Sequence, residues 1–242
     1  MPIEHPELYA ALIRYQVDRL KDTYDDFLGT SEYQVITTFF LEEVYSSKNK
    51  EERDAGIKKV YDKFREKVGA DIAENMKRII RLNELTDDLD VKMVKKLREM
   101  GIGSNFTEDE YEEAYYLTDL YTERVEQVKL IVSSLRYFHS LTRYRSIGLA
   151  LTVLRPYAIL KGARILIDFL QNGYRAFRTV QDVGDFEKAI FDREMERLNR
   201  IYSLGKRPPT IADLRRRAKE MGIKGAEKMT LRRMMKEMQR WT

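Results

Sequence analysis

The segment Thr38-Phe39-Phe40-Leu41-Glu42-Glu43-Val44-Tyr45 decides the fold class. At about 100° per residue, Tyr33, Ile36, Thr37, Phe40 and Val44 fall on one helical face, and Phe39 and Leu41 widen it on either side. Glu42 points away from that face and Glu43 sits on its shoulder. A helix apolar over so much of its circumference is buried among several others. Burying one Phe side chain contributes about 1.5–3 kcal/mol, so the two phenylalanines anchor much of the packing. The paired glutamates invite a catalytic or metal-binding reading. The expected arrangement is instead a solvated Glu42 and a Glu43 paired to a basic side chain, because charged residues are seldom fully buried alone.

Working outward, helical periodicity recurs along the chain. A first helix is expected from Pro6 to Leu28, with Ile13, Val17, Leu20, Tyr24 and Phe27 on one face and Leu8, Leu12 and Tyr15 on another. A helix over 51–68 is expected to break at Gly69, and another over 70–86 to give way to a capped start at Thr86-Asp87-Asp88-Leu89-Asp90. That acidic run lacks the Gly and Glu that a calcium loop places at fixed offsets. Thr107-Glu108-Asp109-Glu110 reads as a capping box opening one long helix to about Ser140, with Tyr111, Ala114, Thr118, Tyr121, Val125, Val128, Val132, Leu135 and His139 as its stripe. His139 is expected to be a satisfied core or helix-end histidine. Ile147 to Leu154 is an apolar helix expected to stop or kink at Arg155-Pro156. Arg143, Arg145, Arg155, Lys161 and Arg164 punctuate this region, a pattern open to core helices with solvated arginines or to a surface for a membrane or an acidic partner. A last helix is expected from Asp185 to Tyr202.

The 242 residues contain five prolines, twelve glycines and no cysteine, against 43% hydrophobic and 35% charged residues. This composition excludes disulfides and thiolate metal sites and disfavours a many-stranded β fold. No apolar run reaches about 18 residues, and Met-Pro-Ile-Glu-His lacks the features of a secretion signal, so no integral membrane segment and a cytoplasmic location are expected. The net charge of +4 conceals a division. Lys206–Thr242 holds twelve basic and four acidic residues, net +8, leaving 32 basic and 36 acidic residues, net −4, in 1–205. Such asymmetry predicts an acidic body with a basic module.

Three stretches of the body resemble a bacterial family named for a Phe-Phe-Leu-Glu-Glu-Leu-Tyr motif. They are Gln16 to Leu20 with Thr23-Tyr24 and Phe39 to Tyr45, where Val44 replaces the motif leucine; Arg53-Asp54, Leu82 to Thr86 and Leu89-Asp90; and Gly148 to Leu151 through Pro156, with Asp168 to Leu170, Gly173 and Ala176-Phe177. The match spans about residues 8–200. It implies a helical domain and brings no activity with it.

Gly205-Lys206-Arg207-Pro208-Pro209 reads as an extended linker. Beyond it, Thr210 is expected to cap a short helix with Ile211, Leu214 and Ala218 that ends at Gly222. The segment 223–229 is expected to be extended, and Thr230 to cap a second helix with Met234, Met235 and Met238. Through Leu214-Arg215, Ala218-Lys219, Gly222-Ile223, Gly225 and Lys228-Met229, this tail resembles the small N-terminal module of the transcription terminator Rho, which is similar to SAP domains. Glu227 stands where that family has a hydroxyl residue, and Arg233 where it favours an acid. The resemblance implies nucleic-acid binding. Independently, Arg215, Arg216, Lys219, Lys224, Lys228, Arg232 and Arg233 supply a phosphate-binding set with salt-dependent affinity and weak sequence preference.

The expected architecture is therefore all-α: a multi-helix, bundle-like domain over 1–204, a linker over 205–209, and a helix–extended-loop–helix module over 210–242. The expected partners are DNA or RNA, with an acidic protein or a second copy of the chain as alternatives. No cofactor, metal or catalytic residue is expected. Arg136 stands three before His139, so the Glu-x-x-His pair is missing, and neither a phosphate-binding Gly-rich loop nor the Gly-x-Ser-x-Gly elbow occurs. A membrane-peripheral or protein-interaction scaffold is the alternative, and an enzyme built on a carboxylate or arginine pocket the weakest one.

Overall fold

The structure, a computed structural model, describes residues 5–44, 50–203 and Arg215; within 50–76 it describes the backbone and, beyond that, only Glu52, Ala55 and Gly56. Among the described residues there are nine α-helices, one π-helical segment and no strand. The helices are α1 (Pro6–Thr23), α2 (Asp25–Leu28), α3 (Gln34–Phe39), α4 (Lys50–Glu99), α5 (Glu108–Leu117), α6 (Tyr121–Thr142), α7 (Arg145–Leu160), α8 (Arg164–Phe177) and α9 (Gly184–Tyr202). The π segment, Phe40–Val44, follows α3 directly.

The Phe-Phe pair is shared between two partners. Phe40 is 3% exposed and meets Phe186 of α9 edge-on, with ring centroids 6.0 Å apart. Phe39 turns the other way, toward Phe169 and Phe177 of α8 at 5.3 and 6.3 Å. Gly173 lets α8 approach this ring, because a Cβ there would lie 2.9 Å from Phe39 Cζ. Phe186 is fully buried and also touches Tyr24, Phe27 and Tyr33. The π register replaces the i→i+4 ladder with i→i+5 and rotates the following residues. Leu41 is therefore buried and Val44 exposed, although α-helical spacing places Val44 on the buried face. Glu42 is exposed, as expected, and Glu43 accepts a hydrogen bond from Asn172 Nδ2 at 3.0 Å.

α4 is a single helix of 50 residues, roughly 75 Å long, running against α1, α5, α6 and α8. The expected breaks at Gly69 and Thr86 do not occur. An interior glycine costs a helix only about 1 kcal/mol. At Thr86 the packing continues through Leu85, Leu89, Met93, Val94 and Leu97, all buried. The Thr86 hydroxyl accepts from Gln127 Nε2 at 2.9 Å on α6.

The helix expected from Thr107 to Ser140 is instead two. The capping box is present, with Thr107 Oγ1 accepting from the Glu110 amide and the Glu110 carboxylate accepting from the Thr107 amide. The break falls at Asp119, whose φ of 52° lies in the left-handed region that Asp tolerates better than most residues. The Leu120 amide, which the break would otherwise strand, donates to the Tyr202 hydroxyl at 2.8 Å. That partner comes from α9, so periodicity within 107–140 cannot reveal it.

Pro156 does not end α7, which continues to Leu160. Pro156 and Thr152 both lie on the exposed side, where water can reach the Thr152 carbonyl that lacks an amide partner. The turn comes instead at Gly162, with φ 68°.

Among the described residues, three clusters fill the interior. The largest joins α1, α3, α6, α8 and α9 around Phe186; a second joins α1, α4 and α5 around Leu12, Met93 and Tyr111; a third, smaller one lies between α7 and α8 around Leu151, Ala158, Ala163 and Ile167. No helix among the described residues is long and apolar enough to cross a membrane.

Candidate interaction surface

Two groups of polar residues stand out, one inside the body and one on α7 and α8. The inner group begins with Glu112 of α5, 3% exposed. Arg197 and Arg200, three apart on α9, share a helix face and converge on it. Arg200 Nη1 donates to Oε2 at 2.7 Å and Nη2 to Oε1 at 2.5 Å, while Arg197 Nη2 lies 3.2 Å from Oε1. Donating to the Glu112 carboxylate raises the Arg200 pKa against a smaller opposing effect of burial. On the same helix, Glu187 is gripped by Arg136 Nε and Nη2 at 3.0 and 2.7 Å, and Glu194 by Arg19 at 2.6 Å and the Tyr24 hydroxyl at 3.1 Å. These pairs bind α9 to α1, α5 and α6.

Arg124 is the residue that sequence patterning missed. It is 4% exposed and stacks on the Tyr115 ring at 4.3 Å. Its Nη1 donates to Gln127 Oε1 at 3.4 Å, and its Nε and Nη2 have no hydrogen-bond partner among the described residues. Burial drives the Tyr115 hydroxyl pKa far upward, with Arg124 opposing, so this ring is neutral at physiological pH. Asp90, buried nearby on α4, accepts from Gln16 at 3.0 Å. Burial first, and then Asp90 and Asp87, push the Tyr9 hydroxyl well above the ordinary tyrosine value. The signal for Arg124 was present: Arg124, Val128, Ile131 and Leu135 are spaced four, three and four, so it lies on the buried stripe. His139 ends that stripe, buried, with Nε2 3.2 Å from the Val180 carbonyl, as expected. No group of three metal-ligating side chains occurs among the described residues.

The outer group lines an open groove of about 520 Å³ between α7 and α8, formed by Thr152, Arg155, Asp168, Gln171, Asn172 and Arg175. Asp168 holds Arg155 at 2.9 Å and Arg164 at 3.5 Å. The remaining cations expected here, Arg143, Arg145 and Lys161, are exposed and have no carboxylate partner among the described residues. Beside them α7 exposes Leu149, Val153 and Leu160 at 67%, 77% and 81%.

Of the seven cations expected to hold nucleic-acid phosphates, Arg215 is described and is exposed. Arg216, Lys219, Lys224, Lys228, Arg232 and Arg233 lie outside the described residues, as do the expected linker and the rest of the tail module.

Residues 4–208 match the family described as Domain of unknown function (DUF8198), and the chain belongs to that family. The match ends within the segment read as a linker. No curated protein and no solved structure matches the chain.

Proposed function

We propose that this member of the DUF8198 family acts by binding rather than catalysis, and that its basic C-terminal segment, 206–242, takes DNA or RNA with weak sequence preference. The observation that carries the reading is the division of charge. The body is net −4 and the tail net +8. Within the body, five arginines at α9 and its neighbours are paired with carboxylates: Arg19 with Glu194, Arg136 with Glu187, Arg193 with Asp26, and Arg197 and Arg200 with Glu112. A polyanion would have to displace those partners. The tail has only four acids against twelve bases, so its own carboxylates are too few to neutralise its cations. The likeness of 210–242 to the Rho N-terminal module supports the same partner.

The test uses the full chain and a variant in which Arg215, Arg216, Lys219, Lys224, Lys228, Arg232 and Arg233 are all replaced by Gln. Binding to a short duplex and to a single strand is titrated at several salt concentrations. The wild type is expected to bind at low salt, its log affinity falling by about 0.7–0.9 per decade of salt for each phosphate contacted. The variant is expected to lose most of that affinity and most of that slope. Equal binding by both proteins, or none by the wild type at low salt, overturns the reading.

A further inference from the structure

α7 is apolar on two opposite sides. Its inner side, Ile147, Leu151, Leu154 and Ala158, packs in the third cluster with Ala163 and Ile167. Its outer side repeats the same spacing of four, three and four with Leu149, Val153, Pro156 and Leu160, all exposed. Helices at a protein surface ordinarily turn charged and polar residues outward. Here Leu149, Val153 and Leu160, at two-thirds exposure or more, form a ridge of apolar surface facing water. Tyr144, 62% exposed, extends the ridge at one end, and Ile159 flanks it at the other.

Charge indicates what covers this ridge. Between Glu126 and Asp168 the sequence contains no Asp or Glu, in a chain with 40 of them. The same interval holds Lys129, Arg136, Arg143, Arg145, Arg155, Lys161 and Arg164. Arg143 and Arg145 stand at the N-terminal end of the ridge and Lys161 at its C-terminal end, exposed and without carboxylate partners among the described residues. An apolar line bracketed by cations matches the boundary of an anionic bilayer, with acyl chains beneath and phosphates at the same level as the basic side chains. Tyr144 and Tyr157 suit the headgroup layer. At 16 residues α7 is about 24 Å long, enough to lie in that layer and too short to cross roughly 30 Å of hydrocarbon.

We propose that the outer face of α7 docks the protein on a membrane surface rich in anionic phospholipid. A second copy fits less well. Pairing α7 with its own image, parallel or antiparallel, sets cationic ends against cationic ends, and one ridge of four side chains falls short of the roughly 800 Å² per partner of a stable interface. This docking is independent of the tail's proposed partner.

The tail is itself basic, so the experiment uses the full chain carrying the seven Gln substitutions described above. Co-sedimentation is measured with vesicles of phosphatidylcholine alone and of equal parts phosphatidylcholine and phosphatidylglycerol. Binding to the mixed vesicles only is expected, and Val153→Asp with Leu160→Asp should weaken it by about tenfold or more, since both apolar side chains leave the acyl boundary. Both positions are exposed, so the thermal midpoint should not move, and with the natural tail restored the double variant should bind nucleic acid as the wild type does. In parallel, Val153→Trp on a Trp241→Phe background places the chain's one tryptophan on the ridge, and its emission should shift to the blue with mixed vesicles. Vesicle binding unchanged by the two aspartates, no binding to mixed vesicles, or an unshifted emission overturns the proposal. So does a concentration-dependent dimer that Val153→Asp dissociates while vesicle binding is absent.

Discussion

The seam where α9 meets α1, α5 and α6 and the outer face of α7 use arginine in opposite ways. In the seam Arg19, Arg136, Arg197 and Arg200 each find a carboxylate on another helix, and Glu112, almost without exposure, holds two. On α7 the cations at the ridge ends find none among the described residues, and the side chains between them are aliphatic. The same residue type therefore serves as an internal clamp in one place and as exposed positive surface in the other. What separates them is the distribution of acids: α9 carries Asp185, Glu187, Asp192, Glu194 and Glu196, whereas the stretch from 127 to 167 has none. Arginine content alone says little about a partner until the carboxylates have been assigned.

The largest effect expected from this contrast is at Glu112. Glu112→Ala removes the buried carboxylate that Arg197 and the half-exposed Arg200 share, and should cost about 2 kcal/mol of stability, measured by urea unfolding. A loss below 1 kcal/mol would show that the seam is solvated and would erase the distinction from α7.

A smaller effect is expected at Asp26, which Arg193 grips with two hydrogen bonds of 2.8 and 2.7 Å. Those bonds hold the Asp26 pKa below its ordinary value. A carboxylate lowered on folding contributes stability that is fully present above its unfolded pKa and is lost as pH falls through the lower folded value. Asp26 remains more than half exposed, so Asp26→Asn should cost under about 1 kcal/mol at neutral pH. That difference should shrink in acid; unfolding curves at pH 7 and well below the carboxylate range provide the check, and a pH-independent difference would remove the ion pair as its cause.

The smallest effect is expected at the ridge. Val153→Asp should leave unfolding stability within about 0.5 kcal/mol of wild type, because a residue 77% exposed loses almost no packing. A large loss there would mean that α7's outer side is structural, and the contrast with the seam would vanish.

Much of the helical plan was legible because it is local. The all-α class, the Thr107 capping box, the burial of Val128, Leu135 and His139 on one helix and the last helix, expected from Asp185 and found from Gly184, rest on periodicity and on side chains within a few residues of the amides they satisfy. The candidate surface was half legible. The arginines among apolar residues were visible at 143–164, but the same pattern describes a buried helix equally well. Only the positions of α8 and α6 show which of α7's two apolar sides is covered.

The sequence by itself determined that this chain is helical, that its body is acidic and its tail basic, and where most apolar stripes lie, because propensity, periodicity and charge are properties of neighbours along the chain. The tertiary structure alone decided the rest. It joined 50–99 into one helix, since packing on α1, α5 and α6 outweighs the small cost of an interior glycine. It divided 107–142 at Asp119, where a tyrosine from 82 residues away satisfies the stranded Leu120 amide. It turned Val44 out through a π register, buried Arg124 against Tyr115, and left the outer side of α7 facing water. Each of these outcomes depends on groups distant in sequence and adjacent in space, which no local pattern encodes.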